Sequence, residues 1–306
     1  MSDAPLAGTL LERDGAVYRV ATPAGEVRAV LRGKLKQERR PETKLIVGDH
    51  VRLEPGEGGE LHGIVAVEPR TTVLERRNPE HRGARPVVAN VDQVLVVAAT
   101  RDPDPVPQLL DRLLVLAEAN DLPAGVVLNK IDLDAGDGLA ERMRRAGYAV
   151  FRTCAKTGRG VDELRAALAG RTSVVTGPSG AGKSSLLNAI QPGLTLRTGE
   201  ISRKVRRGTQ TTVSARMEPL AAGGFIVDTP GFSEVGLWGI DPAALAQCFP
   251  EMRPLHGECR YQDCRHMQEP GCAIRAAVAA GAIAEDRYQS YRMLLEELER
   301  APAEWE

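Results

Sequence analysis

The sequence predicts a multidomain α/β protein, with a small β-barrel in front of the α/β domain and a mostly helical, metal-binding domain behind it. Three observations predict this order. Short alternating strands fill residues 8–70, strands alternate with helices from Val87 onward, and three cysteines and a histidine crowd together between Cys259 and Cys272. We place the domain boundaries at residues 1–72, 73–240 and 241–306.

Composition excludes several classes of protein. Of the 306 residues 42% are hydrophobic, and the net charge of −1 excludes a general polycation, so a nucleic-acid contact must come from local basic patches. The longest apolar runs, such as Val94 to Ala99, are too short to cross a membrane, and the N-terminus lacks the pattern of a signal peptide. We therefore expect a cytoplasmic protein with no membrane partner. The five cysteines suit metal binding in a reducing compartment better than disulfides.

The N-terminal part is predicted to be a five-stranded barrel of the OB-fold type, a fold that often binds oligonucleotides. Its strand-like stretches include VYRVAT, EVRAVLRG, KLIVGDHVRLEP and LHGIVAVEP. The connection from Arg32 to Arg40 carries five cations and one acid, so it is either a contact to a phosphate backbone or a solvated loop. The polar stretch from Glu75 to Arg85 is predicted to be a flexible linker.

Apolar runs then alternate with helices, which we predict over about Pro107–Asn120, up to Ala146, and over Val161–Ala169. This alternation is typical of a parallel sheet covered on both faces, and it predicts one nucleotide domain over residues 87–232. We expect the leucines of the first helix to pack in the core, namely Leu109, Leu110, Leu113, Leu114 and Leu116.

A phosphate loop lies between the strand that ends at Thr176 and the helix that opens at Lys183. The stretch from Gly177 to Ser184 fits G-x-x-x-x-G-K-[ST], in which backbone N–H groups wrap the phosphates of a nucleotide. Lys183 is expected to reach the terminal phosphates, and the Ser184 hydroxyl to ligate magnesium. The predicted nucleotide-binding residues are Gly177, Pro178, Ser179, Gly180, Ala181, Gly182, Lys183, Ser184 and Ser185.

Two tetrapeptides that follow strands predict guanine as the base. Asp132 of the sequence NKID can accept the two donors that guanine presents on N1 and N2, and the backbone N–H of Ala155 in TCAK can donate to guanine O6. GTP is therefore the favoured nucleotide. The predicted base-binding residues are Asn129, Lys130, Asp132, Cys154, Ala155 and Lys156.

A last nucleotide element, DTPG, begins at Asp228, which we expect to hold magnesium through water while the Gly231 N–H binds the γ-phosphate. The stretch from Arg197 to Thr212 precedes it, and either Thr211 or Thr212 is expected to close over magnesium. Its cations are either RNA contacts or solvated, namely Arg203, Lys204, Arg206 and Arg207.

The tail contains Cys259-x4-Cys264-Arg265-His266-x5-Cys272. Three thiolates and one imidazole complete a tetrahedral set with no open position, which predicts one structural zinc ion rather than a catalytic one. The alternative is that these residues are scattered through a core. Cys154 and Cys248 are expected to pack as small residues, and helices are predicted over about Ala273–Ala280 and Glu285–Arg300.

In this combination the chain resembles the bacterial family of small-ribosomal-subunit-dependent GTPases, RsgA. The GTPase motifs occur in circularly permuted order, with NKID and TCAK before the phosphate loop and DTPG after it. The resemblance implies an OB-fold, a permuted GTPase domain and a zinc domain, which act on late maturation of the 30S subunit and contact 16S rRNA. We expect a monomer.

Gln210 departs from the family, because relatives commonly carry histidine at this position. Phe232 follows DTPG, at the position where many GTPases in general have a water-orienting glutamine. We hypothesise that Gln210 positions the hydrolytic water, the alternatives being a surface glutamine or a group supplied by the ribosome. Two other functions stay open at this point: an RNA-binding assembly factor in which hydrolysis is incidental, and an ATP-dependent enzyme.

Overall fold

The computed structural model describes residues 5–33, 35, 44–56, 61–78, 81–194, 215–229, 237 and 240–300. The predictions for Gln210, Thr211, Thr212 and Gly231, and for the cations at 203–207, lie outside these residues, as does most of the basic connection after Arg32.

The N-terminal part is a closed five-stranded barrel, as predicted, with strand order β1-β2-β3-β5-β4. Alternate side chains point inward, so that Leu10, Val20, Leu53 and Ile64 have no exposed surface. The predicted strand at KLIVGDHVRLEP begins only at His50, after a turn closed by Asp49. The strands are β1 (Leu6–Asp14), β2 (Val17–Thr22), β3 (Gly25–Leu31), β4 (His50–Glu54) and β5 (His62–Val67).

The prediction of a flexible linker from Glu75 to Arg85 is wrong. The chain forms an antiparallel hairpin there, β6 (Val73–Asn78) and β7 (His81–Ala89). The apolar bases of its strands anchor it, since Leu74 is 1% exposed and Val88 is fully buried. The polar composition that suggested a linker belongs to the part of the hairpin away from this anchor.

A six-stranded sheet with the order β10-β9-β8-β11-β13-β12 forms the centre of the molecule. Five strands are parallel, as predicted, whereas β12 pairs antiparallel with β13 at one edge and was not anticipated. A tight turn after Pro219 joins these two strands and makes the antiparallel pair. The strands are β8 (Gln93–Ala99), β9 (Ala124–Asn129), β10 (Ala149–Arg152), β11 (Arg171–Thr176), β12 (Arg216–Pro219) and β13 (Gly224–Asp228).

Among the described residues, four helices cover the sheet. Where the sequence predicted the first or last residue of a helix, the observed residue lies within two positions of it. Of the leucines expected in the core, all but Leu109 are buried. The helices are α1 (Pro107–Glu118), α2 (Asp137–Arg145), α3 (Val161–Leu168) and α4 (Lys183–Ile190).

The C-terminal part contains two 3₁₀ helices, Pro242–Cys248 and Arg253–Leu255, and then α5 (Ala273–Ala279) and α6 (Glu285–Arg300). Helix α6 packs on α1, with Tyr291 and Leu295 almost fully buried. A single hydrophobic cluster connects barrel, sheet and tail. Among the described residues, no helix is long and apolar enough to span a membrane.

Candidate functional site

The predicted nucleotide elements meet at one edge of the central sheet. NKID follows β9, TCAK follows β10, the phosphate loop follows β11, and Asp228 ends β13. These four strands are parallel, so their carboxyl ends lie at the same edge. The structure therefore brings together every predicted base- and phosphate-binding residue that it describes.

The phosphate loop is closed around its own lysine. Lys183 Nζ donates to Gly177 O at 2.7 Å and to Pro178 O at 2.8 Å. Burial lowers the pKa of the Lys183 ammonium, against the opposing effect of the Asp228 carboxylate. Because anionic phosphate oxygens are stronger acceptors than carbonyls, a bound nucleotide can draw this ammonium away from the loop.

Two glycines of the loop are required by close approach of the chain. A Cβ at Gly177 would lie 2.1 Å from Val97 O, and a Cβ at Gly182 would lie 2.4 Å from Asn129 Nδ2. Gly182 also has a φ of +84°, which L side chains rarely adopt. The loop therefore reaches helix α4 with its backbone pressed against NKID.

Asn129 ties three of the elements together. Its Nδ2 donates to Ala181 O of the phosphate loop at 3.0 Å, while its Oδ1 accepts from the backbone N–H of Ala155 at 3.2 Å. The side chain is only 1% exposed. The Ala155 N–H that is expected to reach guanine O6 thus donates to Asn129, which fixes the TCAK loop beside the phosphate loop.

Cys154 has a role that its sequence position alone did not indicate. Its thiol is buried and donates to Asp132 Oδ1, with Sγ and Oδ1 3.1 Å apart. This hydrogen bond, together with nearby Lys156 and Lys130, holds the pKa of Asp132 below its ordinary value. Cys154 therefore helps to hold the Asp132 carboxylate in place and to keep it ionised.

The loop that follows β8 also borders the site, and sequence reasoning missed it. Lys130 Nζ donates to Asp102 O, and the Thr100 hydroxyl donates to Lys130 O at 2.9 Å. A Cβ at Gly180 would lie 3.1 Å from Pro103 Cδ, which shows how closely this loop approaches the phosphate loop. No recognised motif marks these residues.

Of the predicted magnesium ligands, the structure describes Ser184 and Asp228. Ser184 is in the first turn of α4, and Val227, next to Asp228, pairs with Val174 of β11, the strand that leads into the phosphate loop. A hydroxyl and a carboxylate are both oxygen ligands of the kind that Mg²⁺ prefers.

The predicted metal ligands form a compact cluster. The ligand atoms of Cys259, Cys264, His266 and Cys272 all lie within 4.8 Å of one another. His266 Nδ1 is 3.5 Å from Cys259 Sγ and 3.4 Å from Cys272 Sγ, and the two sulfurs are 3.9 Å apart. Bonds of about 2.3 Å to sulfur and about 2.1 Å to nitrogen in a tetrahedron give edges of this size, so the cluster fits a zinc ion.

Neighbouring groups orient the ligands of this cluster. The backbone N–H groups of Ala273 and Arg275 each point at a sulfur, at 3.4 Å from Cys259 Sγ and Cys272 Sγ respectively. The Tyr288 hydroxyl donates to His266 O at 2.6 Å. The two N–H donors stabilise the thiolates, and the Tyr288 hydrogen bond fixes the ligand loop on α6. Of the two remaining cysteines, Cys248 is buried outside the cluster, as expected.

Comparison with known proteins identifies the family. The sequence model described as RsgA GTPase matches residues 67–238, more than half of the chain. The chain belongs to the RsgA GTPase family. RsgA of Gemmatimonas aurantiaca is 49% identical over 95% of this chain and 97% of its own, and RsgA of Moorella thermoacetica is 47% identical over the same shares. Both are named small ribosomal subunit biogenesis GTPase.

Solved structures agree with this family. The crystal structure of YjeQ from Thermotoga maritima is 35% identical and has a TM-score of 0.80, covering 97% of this chain and 99% of its own. YloQ, described as a circularly permuted GTPase, is 28% identical and has a TM-score of 0.77, covering 97% of this chain and 96% of its own. This RsgA-family chain therefore shares a circularly permuted order with YloQ, and the reaction that it catalyses is GTP hydrolysis.

Asp132→Asn is expected to weaken the binding of GTP and GDP and to favour xanthine nucleotides, whose C2 oxygen accepts a hydrogen bond where guanine donates. Loss of a charge-assisted hydrogen bond costs about 1.5 to 3 kcal/mol, or roughly 10- to 150-fold in affinity. Fluorescence titration with labelled GDP and with xanthosine nucleotides measures both effects. Asp134→Asn, an exposed change two residues along, is the control; a GTP affinity unchanged in Asp132→Asn would remove the guanine assignment.

Proposed function

We propose that this GTPase binds the 30S ribosomal subunit, assists its late maturation, and is stimulated by the subunit. The observation that carries the proposal is the placement of NKID, TCAK, the phosphate loop and Asp228 at one sheet edge, in a chain that has a barrel before this domain and a metal-ligand cluster after it. The relatives that share this chain over nearly its whole length are named for small-subunit biogenesis. We place the protein in the cytoplasm, as a monomer.

We divide the chain into three domains, over residues 1–72, 73–240 and 241–306. The barrel contacts 16S rRNA, with Arg32 and the cations after it on the phosphate backbone. The central domain binds GTP or GDP through the residues described above and Mg²⁺ through Ser184, Asp228 and one of Thr211 and Thr212. The tail holds one structural zinc ion on Cys259, Cys264, His266 and Cys272.

Gln210 is proposed to position the hydrolytic water, with Gly231 sensing the γ-phosphate. Its amide can donate and accept a hydrogen bond at once, and Phe232, which follows DTPG, can do neither. The threonines proposed for Mg²⁺, Thr211 and Thr212, directly follow Gln210 in the sequence. We propose that the subunit holds the Gln210 amide against the attacking water, and we therefore expect turnover to be slow without the subunit.

Steady-state turnover of GTP and ATP, with and without 30S subunits, tests this function. We expect GTP to be the substrate and the subunit to raise its turnover strongly. Gln210→Ala is expected to lose the stimulated rate by about 10- to 1,000-fold while nucleotide affinity stays nearly unchanged, the pattern of an interaction made chiefly in the transition state.

The matched control is Gln289→Ala, which removes an exposed glutamine of α6 far along the chain. Stimulated turnover equal to the parent's in Gln210→Ala would assign the water to another group, such as one from the ribosome. Subunit binding without stimulation would favour an assembly factor in which hydrolysis is incidental. Efficient ATP turnover would contradict the guanine site itself.

A further inference from the structure

The barrel contacts the central domain at a particular strand. β1 of the barrel packs on β12, the edge strand of the six-stranded sheet. At this contact Arg216 Nε of β12 lies 3.6 Å from Glu12 Oε2 of β1. Arg216 also forms an ion pair with Glu218 on its own strand. The junction between barrel and nucleotide domain therefore contains an ion pair as well as packing.

Glu12 is held in place from the barrel side. Arg19 Nη1 donates to Glu12 Oε2 at 2.7 Å, and its Nη2 donates to Glu26 at 3.0 Å. The side chain of Glu12 is 21% exposed and that of Arg216 is 31% exposed, so the pair is only partly screened by water. The same carboxylate oxygen thus joins an arginine of the barrel to an arginine of the sheet.

The backbone of Arg216 leads directly to the nucleotide site. In the β12–β13 pair Arg216 is the partner of Asp228, and Met217 is the partner of Val227. Met217 and Val227 are fully buried. Because a well-packed two-strand unit shifts as one body, a displacement of Arg216 is passed to the strand end that carries Asp228.

We propose that Glu12 is a positioning residue for this GTPase, acting through Arg216 on the carboxylate of Asp228. The barrel and the magnesium-bound nucleotide are then thermodynamically coupled, so that whatever occupies the barrel near Glu12 changes the affinity for magnesium nucleotide, and the nucleotide changes barrel binding by the same factor. The inference rests on the proposed magnesium role of Asp228.

The test is the binding of fluorescent GDP to the full chain across a series of Mg²⁺ concentrations and in EDTA. Partly exposed ion pairs alter equilibria by roughly 2- to 5-fold, and we expect Glu12→Gln and Arg216→Met each to raise the Mg²⁺ concentration for half-maximal tight binding by about that factor. The affinity in EDTA should not change. The double variant should need no higher Mg²⁺ concentration for half-maximal tight binding than the more affected single variant. Arg216→Lys should need the same Mg²⁺ concentration as the parent.

Glu26→Gln is the matched control, because Glu26 contacts Arg19 on the same barrel surface but has no ion pair with Arg216. Equal Mg²⁺ dependence in Glu12→Gln and Glu26→Gln, or effects of the two single variants that multiply in the double, would overturn the coupling. Asp228→Asn separates this from the underlying function. If Asp228→Asn leaves the Mg²⁺ dependence of GDP binding unchanged, the proposed magnesium role of Asp228 is wrong. If Asp228→Asn abolishes this dependence while Glu12→Gln has no effect on it, only the coupling through Glu12 is wrong.

Discussion

Removing the metal from the cluster of Cys259, Cys264, His266 and Cys272 is expected to unfold the ligand loop while the nucleotide domain stays folded. The loop from His256 to Gly271 has no fully buried side chain, so it has little hydrophobic packing of its own. Structural zinc is worth on the order of 10 kcal/mol in small modules. Elemental analysis should find one zinc per chain, and chelation should make the chain susceptible to trypsin cleavage after Arg260 and Arg265 in this loop.

Two cysteine variants separate the metal's effect from that of a lost thiol. Cys264→Ser removes a ligand and should release zinc and open the loop to trypsin. Cys248→Ala removes a buried thiol whose pKa is raised by burial to about 11, and it should keep its zinc. A purified protein without zinc whose loop nevertheless resists trypsin would show that packing, and not a metal, holds the cluster.

The nucleotide site could be predicted from sequence because its chemistry depends on local patterns. Lys183 and Ser184 have to follow a glycine turn, and Asp132 and Asp228 have to follow apolar strands. Parallel strands then bring these positions to one edge whatever lies between them. The order of the motifs along the chain is irrelevant to that geometry, which is why a permuted chain could still be recognised.

Contacts between distant parts of the chain could not be predicted in this way. β12 is a short edge strand with charged residues, so its pattern resembles that of a loop. The Cys154–Asp132 bond joins two motifs whose side-chain orientations depend on the fold. Arg287 occurs in the polar sequence EDRYQSYR, which is typical of a solvated helix, yet it is 1% exposed and contacts Asp111, 176 residues away.

Arg287 is the centre of a buried charge cluster that fastens α6 to the nucleotide domain. Its Nη1 donates to Asp111 Oδ1 of α1 at 2.7 Å, and its Nε and Nη2 donate to Glu251 at 2.6 and 3.0 Å. The guanidinium also lies 4.6 Å from the centre of the Phe249 ring. Arg142 of α2 completes the cluster, with two hydrogen bonds to Asp111 at 2.9 and 2.6 Å.

The cluster also sets the protonation of Asp111. Burial alone would raise the pKa of this carboxyl, but the hydrogen bond from Arg142 and the charge of Arg287 more than offset it and bring the pKa below its ordinary value of 3.8. A carboxyl with a lowered pKa in the folded state stabilises the fold above its ordinary pKa, and this stabilisation is lost as the pH falls through the lowered value. The contribution is therefore fully present at neutral pH.

Arg287→Met is expected to destabilise the protein by about 3 to 5 kcal/mol, because it leaves Glu251 buried without its arginine and removes one of the two arginines that pair with Asp111. Denaturant unfolding at neutral pH measures the loss, and the deficit should shrink at acid pH as the Asp111 carboxyl, whose pKa is lowered in the parent, becomes protonated. Arg300→Met is the matched control, since Arg300 is 79% exposed and its pair with Glu296 is worth only a few tenths of a kcal/mol.

A double-mutant cycle then shows whether the loss comes from charge or from packing. If uncompensated charge causes it, adding Glu251→Gln to Arg287→Met should cost far less than Glu251→Gln costs in the parent, because the glutamine replaces a carboxylate that has already lost its partner. Additive costs in the cycle, or an Arg287→Met deficit no larger than that of Arg300→Met, would show that α6 is held by buried apolar side chains such as Tyr291 and Leu295, and that the buried ions contribute little to its docking.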